Sequence, residues 1–260
     1  MDTVTTPAAM RKICERHGIE MEAKGWMVGT KYEQVHHSCH KCTAERELKR
    51  QQLEEARIEH ERIERIGRNR DTCAIPLRFA QSTFGNYDAI SPGERRVLAA
   101  VREYAVRFDD IRRQGANLTL CGKPGTGKTH LAAALANELL EREFSVAYRV
   151  MPALLRELKD VAFGSRGAQA ALMERYRRVD LLILDEIGLR MGTEVDGALT
   201  FEIVDARYEA CKPTVAVSNL DGAALGSVLG ERVVDRLLEK GSVVAVFDWA
   251  SRRRIHTTQL

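Results

Sequence analysis

The chain has 260 residues, of which 44% are hydrophobic and 30% charged, and its formal net charge is +3. This length suits one core-forming domain with a smaller appendage, and the small net charge alone gives no argument for a nucleic-acid partner. No apolar run approaches about 18 residues and no secretory signal pattern is visible, so we expect a cytoplasmic protein with reduced thiols and no membrane span.

Two short pairs of potential metal ligands stand near the amino terminus. Cys14 and His17 form a C-x₂-H pair, and Cys39 and Cys42 form a C-x₂-C pair. Each pair can present two ligands from one tight turn, and two pairs complete the tetrahedron that Zn²⁺ prefers. Residues 18–38 between the pairs suffice for a small hairpin, and a module this short takes most of its stability from the metal. We therefore expect a structural zinc site.

The alternative for these pairs is a chance arrangement, with the nearby histidines His36, His37 and His40 at the surface or competing as nitrogen ligands. We expect His17 to be the nitrogen ligand. Four good ligands leave no open coordination position, so a catalytic zinc is not expected.

Residues 43–70 predict a long, solvated helix, because Glu, Arg, Lys and Gln dominate and charges of both signs alternate. A thin apolar stripe is too sparse for a coiled coil; it consists of Leu53, Ala56, Ile63 and Ile66. The pattern leaves open whether this helix is a linker or docks a partner. Pro76 cannot continue the helix and marks its end.

A glycine-rich run from Gly122 to Thr129 fits the phosphate-binding pattern G-x-x-x-x-G-K-[ST]. An apolar run at 117–121 predicts a strand before it, and helix-forming residues at 130–140 predict a helix after it. Glycines let backbone N–H groups face phosphate oxygens, and the helix amino terminus adds its dipole. The alternative is an ordinary glycine turn that binds no ligand. We expect instead that this loop binds a nucleoside triphosphate. Its binding residues are Gly122, Lys123, Pro124, Gly125, Thr126, Gly127, Lys128, Thr129 and His130.

Residues 181–184 are apolar and bounded by charge, which is typical of a central parallel strand buried on both faces. Asp185 and Glu186 follow, at the strand end where open α/β sheets bind ligands. Asp185 can hold Mg²⁺ together with the Thr129 hydroxyl, and Glu186 can orient and deprotonate an attacking water. An acidic strand end without chemistry is the alternative.

Asn219 ends another predicted strand and can reach a γ-phosphate or the attacking water. Arg232 and Arg236 follow, four residues apart on one face of a predicted helix. They form either a surface cluster with neighbouring acidic residues or a pair presented to the γ-phosphate of an adjacent subunit.

These runs occur in the same order as in the DnaC/IstB branch of AAA+ ATPases, which the chain resembles over residues 75–254. The resemblance includes the glycine loop, the strand ending in Asp185 and Glu186, the segment Ile75–Phe79, and the closing run Phe247–Arg253. Within that branch, the chain is most similar to helicase loaders of the DnaC type.

The resemblance implies an α/β fold: an AAA+ P-loop NTPase with a parallel central sheet flanked by helices, which hydrolyses ATP with Mg²⁺. It gives Lys128 and Thr129 the Walker A roles, and Asp185 and Glu186 the Walker B roles. The remaining catalytic candidates that it implies are Asn219 as sensor 1, Arg236 or else Arg232 as arginine finger, and Arg253 as a carboxyl-terminal sensor.

Two predicted helices before Asp185, at 153–163 and 168–178, match the position of the insertion by which initiators and loaders line a single-strand path. Arginines there would contact phosphates, and aromatic rings would stack on bases. A solvated helix end is the alternative. The candidate DNA contacts are Phe163, Arg166, Arg175, Tyr176, Arg177 and Arg178.

The resemblance thus implies an ATP-dependent loader that places a hexameric replicative helicase on single-stranded DNA and self-associates through ATP-bridged interfaces. We expect a zinc module at 1–45 that grips the helicase, a charged helix at 46–72, and an AAA+ domain at 73–260. An IstB-like transposition helper that acts with a transposase is an alternative function. A zinc-dependent adaptor whose nucleotide is only structural is another.

Overall fold

A computed structural model describes residues 12–28, 31–164, 166–189, 192–239 and 241–252. The chain divides into two units, Met1–Glu64 and Arg65–Leu260, and each is described separately below. None of the helices within the described ranges combines the length and apolar character needed to cross a bilayer.

The first unit contains an antiparallel hairpin and most of a long helix. Strands β1 (Glu22–Val28) and β2 (Lys31–Ser38) pair with a register that runs from Glu22 opposite Ser38 to Val28 opposite Lys31. This is the small hairpin expected between the two ligand pairs. Helix α1 (His40–Cys73) follows at once, so the second ligand pair lies at its first turn, where the Thr43 N–H donates to the Cys39 carbonyl at 2.9 Å.

Helix α1 begins and ends three residues beyond the predicted 43–70, and it crosses both expected domain boundaries. Its surface carries ion pairs at helical spacing, such as Arg57 with Glu54 at 2.6 Å and with Glu61 at 2.7 Å. Pairs of this kind each stabilise a helix by about 0.2–0.5 kcal/mol. The three-domain division stays a prediction.

The second unit is built on a parallel five-stranded sheet in the order β4-β5-β6-β3-β7. Its strands are β3 (Leu118–Gly122), β4 (Val146–Val150), β5 (Leu181–Asp185), β6 (Thr214–Val217) and β7 (Val243–Phe247). The helices are α2 (Pro92–Val106), α3 (Phe108–Gln114), α4 (Lys128–Glu141), α5 (Met151–Gly164), α6 (Arg166–Arg178), α7 (Glu194–Glu209), α8 (Gly222–Leu229) and α9 (Glu231–Leu237). Because the strands are parallel, the carboxyl ends of β3, β5 and β6 meet at one edge.

Helices cover both faces of this sheet, so alternate residues of one strand enter different cores. Leu181 and Ile183 of β5 pack in a core with α2 and α4, whereas Leu182 and Leu184 pack with α5 to α9. All five residues of β5 are buried, which explains its apolar run. The predicted α/β class with a parallel sheet between helices is confirmed.

Arg207 of α7 is fully buried and holds the end of α6 against the sheet. Its guanidinium donates to the carbonyls of Tyr176 at 2.5 Å, Val179 at 3.1 Å and Pro213 at 2.6 Å. A cation suits the Tyr176 and Val179 carbonyls because they lie at the carboxyl end of α6, which is the negative end of the helix dipole. Burial lowers the pKa of Arg207 to about 9, which leaves the side chain charged at neutral pH.

We predict that Arg207→Met lowers the free energy of unfolding by about 3 kcal/mol or more, because several buried carbonyls lose their donor. Arg178→Met is the matched control: Arg178 is exposed and pairs with Glu174, so it should cost less than about 1 kcal/mol. Urea denaturation of both variants measures the difference. Equal losses would contradict the role assigned to Arg207.

Candidate nucleotide site and Cys/His cluster

The glycine loop joins β3 directly to α4, as predicted. Gly127, just before α4, has a φ of 101°, and a Cβ there would lie 2.7 Å from the Tyr87 ring. Gly122 has a φ of 121°, and its Cβ would lie 2.3 Å from the Phe247 carbonyl oxygen. Both positions therefore require glycine, for backbone conformation and for close approach.

The carbonyl groups of this loop are hydrogen-bonded by residues outside it. The Trp249 indole donates to the Thr126 carbonyl at 3.0 Å, and the Tyr87 hydroxyl donates to the same oxygen at 3.3 Å. The Arg252 N–H donates to the Gly125 carbonyl at 2.9 Å.

Within the described residues, by contrast, the backbone N–H groups of residues 125–127 have no protein acceptor. Consecutive unpaired N–H groups at a helix amino terminus form an anion site, so the loop fits a phosphate chain. The Lys128 ammonium lies in the same loop, 2.8 Å from the Gly122 carbonyl and 2.6 Å from the Lys123 carbonyl.

Asp185 is the last residue of β5 and is 5% exposed. Its Oδ1 accepts from the Glu186 N–H at 2.8 Å, and its Oδ2 accepts from the Tyr148 hydroxyl at 2.5 Å. Burial, followed by the charge of Asp185, raises the pKa of Tyr148 well above its ordinary value. The Tyr148 hydroxyl therefore stays protonated and stays a donor.

Glu186 has a φ of 58°, in the left-handed region, which costs a non-glycine residue on the order of 1–2 kcal/mol. The backbone around it is fixed: the Ile187 N–H donates to the Val217 carbonyl at 3.0 Å, and the Ser218 hydroxyl donates to the Ile187 carbonyl at 2.8 Å. The Glu186 carboxylate has no hydrogen bond or ion pair among the described residues. It is thus free to act on a ligand.

A cavity of about 360 Å³ joins these groups. The predicted residues that line it are Pro124, Gly125, Gly127, Lys128, Thr129, His130, Asp185, Glu186 and Asn219. Gly122, Lys123 and Thr126 belong to the loop but do not line the cavity. Sequence reasoning missed the other lining residues as part of the site, namely Arg78, Phe79, Asn86, Tyr87, Asp88, Val217, Ser218 and Arg252.

Arg252 lines the cavity and contacts both Tyr87, another lining residue, and Glu94 of α2. Its guanidinium lies 4.7 Å from the centre of the Tyr87 ring, and it binds Glu94 at 2.6 Å. Burial raises the pKa of Glu94, but hydrogen bonds from Ser91 and Arg252 outweigh it and hold that pKa below its usual value. Burial raises the pKa of Tyr87 to about 12. Arg253, the predicted carboxyl-terminal sensor, lies outside the described residues.

Arg232 and Arg236 lie on α9 and do not line the cavity of their own chain. Arg236 pairs with Asp205 at 2.9 Å and stacks on Tyr208 at 4.8 Å. Arg232 is exposed and has no ion pair among the described residues. Arg236 therefore has the ion-pair arrangement that was one of the two expectations, whereas Arg232 is accessible. Presentation of either arginine to an adjacent subunit stays a prediction.

The candidate DNA contacts lie on α5 and α6, and one of them does not fit its expected role. Tyr176 is 1% exposed; its hydroxyl accepts from Arg149 Nε at 2.7 Å, and its ring packs in the core beneath α6. The expectation that this ring stacks on a base is therefore wrong for this structure. The flanking arginines suggested an exposed helix end, but position 176 faces the sheet.

The arginines around Tyr176 remain at the surface. Arg175 is exposed, and Arg177 and Arg178 each pair with Glu174 at 2.5 Å. Phe163 is the second-last residue of α5, and Arg166 is the first residue of α6. Their side chains lie outside the described part of the molecule.

In the first unit, the four predicted metal ligands come together. His17 Nδ1 lies 3.7 Å from Cys14 Sγ, 3.5 Å from Cys39 Sγ and 3.3 Å from Cys42 Sγ, and the Cys14 and Cys42 sulfurs are 3.6 Å apart. All four ligand atoms lie within 4.8 Å of one another, and the cysteines are free. Tetrahedral zinc with bonds of about 2.0–2.3 Å separates its ligand atoms by about 3.5–3.8 Å, so this donor set fits zinc.

Glu45 supports this cluster and was not predicted. Its carboxylate lies 3.0 Å from His17 Nε2, which leaves Nδ1 to face the sulfurs. Hydrogen bonding to Glu45 raises the pKa of His17. Burial raises the pKa of the Cys14 thiol, but hydrogen bonds with His17 outweigh burial and bring it to about 6.

Comparison with known proteins identifies relatives of this chain. Residues 33–259 match the family model described as IstB-like ATP binding protein. Replicative helicase loader DnaC of Escherichia coli K12 is 33% identical over 202 residues, covering 77% of this chain and 81% of the relative. DnaC of Buchnera aphidicola subsp. Baizongia pistaciae is 34% identical over 180 residues, covering 68% of this chain and 72% of the relative.

A solved structure of the DnaC helicase loader matches the fold with a TM-score of 0.61 at 24% identity, and covers 66% of this chain and 100% of the other. At this identity the match concerns the fold alone. The family model and the sequence relatives show that the chain belongs to the DnaC/IstB family of AAA+ ATP-binding proteins.

Proposed function

We propose that this protein is an ATP-hydrolysing loader that delivers a hexameric replicative helicase onto single-stranded DNA. The observation that carries the proposal is the convergence of Lys128, Asp185, Glu186 and Asn219 on one cavity in a chain that matches 81% of a replicative helicase loader. A passive nucleotide binder has no need of a Glu186 carboxylate beside Asp185 that the described residues leave without a hydrogen bond or ion pair.

ATP would lie with its phosphates on the N–H groups of residues 125–127 and its charge offset by Lys128. The Thr129 hydroxyl and the Asp185 carboxylate are hard oxygen donors of the kind Mg²⁺ takes, so they would hold that ion. When bound, Mg²⁺ neutralises charge on the phosphate oxygens. Glu186 orients a water and accepts its proton, and Asn219 donates a hydrogen bond to the γ-phosphate or to that water.

Arg236 and Arg232 would complete the site of an adjacent copy, which makes hydrolysis depend on self-association. Their position on α9, away from their own cavity, supports this assignment. Arg232 is accessible as it stands, whereas Arg236 would first have to leave Asp205. Arg253 would act as a further sensor from the carboxyl-terminal segment.

The DNA path would run along α5 and α6. Phe163, Arg166, Arg175, Arg177 and Arg178 remain its candidate contacts, with the arginines neutralising phosphates. Tyr176 is not part of this proposal. The zinc module and α1 would grip the helicase, through the exposed surface that α1 presents along most of its length.

We predict that Glu186→Gln binds ATP as tightly as the wild type but hydrolyses it at least about a hundredfold more slowly, because general-base catalysis typically contributes that much. Glu202→Gln on the exposed face of α7 is the matched control and should hydrolyse ATP normally. Phosphate release and equilibrium ATP binding measure both. Hydrolysis by Glu186→Gln at the wild-type rate would remove the catalytic assignment.

The loader role itself is tested by mixing the full chain with the hexameric replicative helicase of the cell in which it acts and with single-stranded circular DNA coated with binding protein. We expect the wild type to stimulate unwinding from such circles, and Glu186→Gln to leave helicase and loader on the DNA without release. No stimulation by an ATPase-active chain would contradict loading. Stimulation of a transposase on duplex DNA instead would favour the IstB-like alternative.

We predict about one zinc per purified chain, and Cys42→Ser should lose most of it, because a thiolate ligand is removed. Cys211→Ser, which alters an exposed cysteine remote from the cluster in sequence, should keep the metal. Elemental analysis measures zinc, and ATP binding shows whether the second unit stays folded. Equal zinc content in the two variants would rule out the Cys/His cluster as the site.

A further inference from the structure

Tyr148 lies on β4, the edge strand beside β5, and reaches the carboxylate of Asp185. In the parallel register Val150 is opposite Asp185 and Tyr148 is opposite Ile183, so the tyrosine is two residues back on the neighbouring strand. An aromatic side chain spans this diagonal. Its hydroxyl donates to Asp185 Oδ2 at 2.5 Å, and both residues are buried.

The two oxygens of Asp185 thus have different fixed donors. Oδ1 accepts from a backbone N–H that follows it in the chain, and Oδ2 accepts from a side chain on another strand. A carboxylate held at both oxygens cannot rotate about its Cβ–Cγ bond without breaking one of these bonds. Each oxygen keeps a further lone pair for a ligand.

The backbone of Tyr148 is itself held by the side chain of its neighbour Arg149. Arg149 donates to the Tyr148 carbonyl at 2.7 Å and, with the same Nη1, to the Cys73 carbonyl at 2.9 Å. Its Nε donates to the Tyr176 hydroxyl at 2.7 Å. The strand backbone that carries Tyr148 is therefore anchored to the end of α1 and to α6.

Tyr148 does not line the nucleotide cavity. Its contact with the site is therefore indirect and passes through one hydrogen bond. Packing alone does not require that hydroxyl, because an apolar ring of the same shape would fill the same space.

We propose that Tyr148 is a positioning residue for the magnesium-binding carboxylate: its hydroxyl fixes the orientation of Asp185 and so sets the Mg²⁺ affinity of the nucleotide complex. This inference rests on the proposed Mg²⁺-dependent ATP site. Groups that orient a metal ligand from behind typically change metal affinity about tenfold or more when they are removed.

The test compares full-length wild type, Tyr148→Phe and Tyr104→Phe. Tyr104 is the matched control because it is equally buried and its hydroxyl also donates one hydrogen bond, to the Ala116 carbonyl at 2.8 Å, away from the cavity. The affinity for a fluorescent ATP analogue is measured in EDTA and across a Mg²⁺ titration, and thermal melting reports folding.

We expect Tyr148→Phe to bind the analogue in EDTA within about twofold of the wild type, but to need about tenfold more Mg²⁺ for half-maximal tightening. Hydrolysis at saturating Mg²⁺ should stay close to the wild-type rate. Tyr104→Phe should match the wild type in its Mg²⁺ titration. If Tyr148→Phe does not fold, Tyr148→Met replaces it in the Mg²⁺ titration. Methionine also lacks the hydroxyl, and its flexible side chain can fill the space of the ring.

An unchanged Mg²⁺ midpoint in Tyr148→Phe would overturn the inference, as would an equal shift in Tyr104→Phe. A parallel loss of affinity in EDTA would also overturn it, because the hydroxyl would then support the whole cavity and not the metal ligand. If Mg²⁺ affects neither binding nor hydrolysis in the wild type, the proposed function fails first, and that result is distinct from the three outcomes above.

Discussion

The P-loop keeps its shape because residues from elsewhere in the chain hold its carbonyl groups. Trp249 and Tyr87 both donate to Thr126, and the Arg252 backbone donates to Gly125. With these carbonyls satisfied, the N–H groups of residues 125–127 are left for a ligand. An anion site made of backbone N–H groups depends on having the carbonyl groups bonded within the protein. A loop without these bonds would have to become ordered at each binding event, which lowers affinity.

The parallel sheet then supplies the remaining chemistry at the same edge. Asp185 ends β5, and Asn219 lies just after β6, which stands between β5 and β3 in the sheet. Three short segments therefore reach one cavity without long loops. The left-handed backbone at Glu186 turns the chain immediately after the strand. Its cost is offset by the hydrogen bonds of Ile187 and Ser218, and strain of this kind is typical of functional positions.

Local patterns predicted the fold and the parts of the site that are contiguous in sequence. The glycine loop, the apolar strand before Asp185 and the two Cys/His pairs each carry their signal within a few residues, and the structure brings each set together. Tyr148, Trp249 and Glu45 were missed because each acts through a partner that is distant in sequence or on another strand. Tyr176 was misassigned because neighbouring arginines do not reveal which side of a helix faces the sheet.

The most direct test of this account is calorimetric titration of the full chain with ATP and Mg²⁺, compared with Lys128→Ala and with Lys49→Ala, an exposed lysine on α1. The account predicts one ATP per chain for the wild type and Lys49→Ala, and affinity weaker by about a hundredfold for Lys128→Ala, since a charge-assisted contact to phosphate is lost. Equal affinity in all three proteins would contradict it, because the triphosphate would then lie outside the loop.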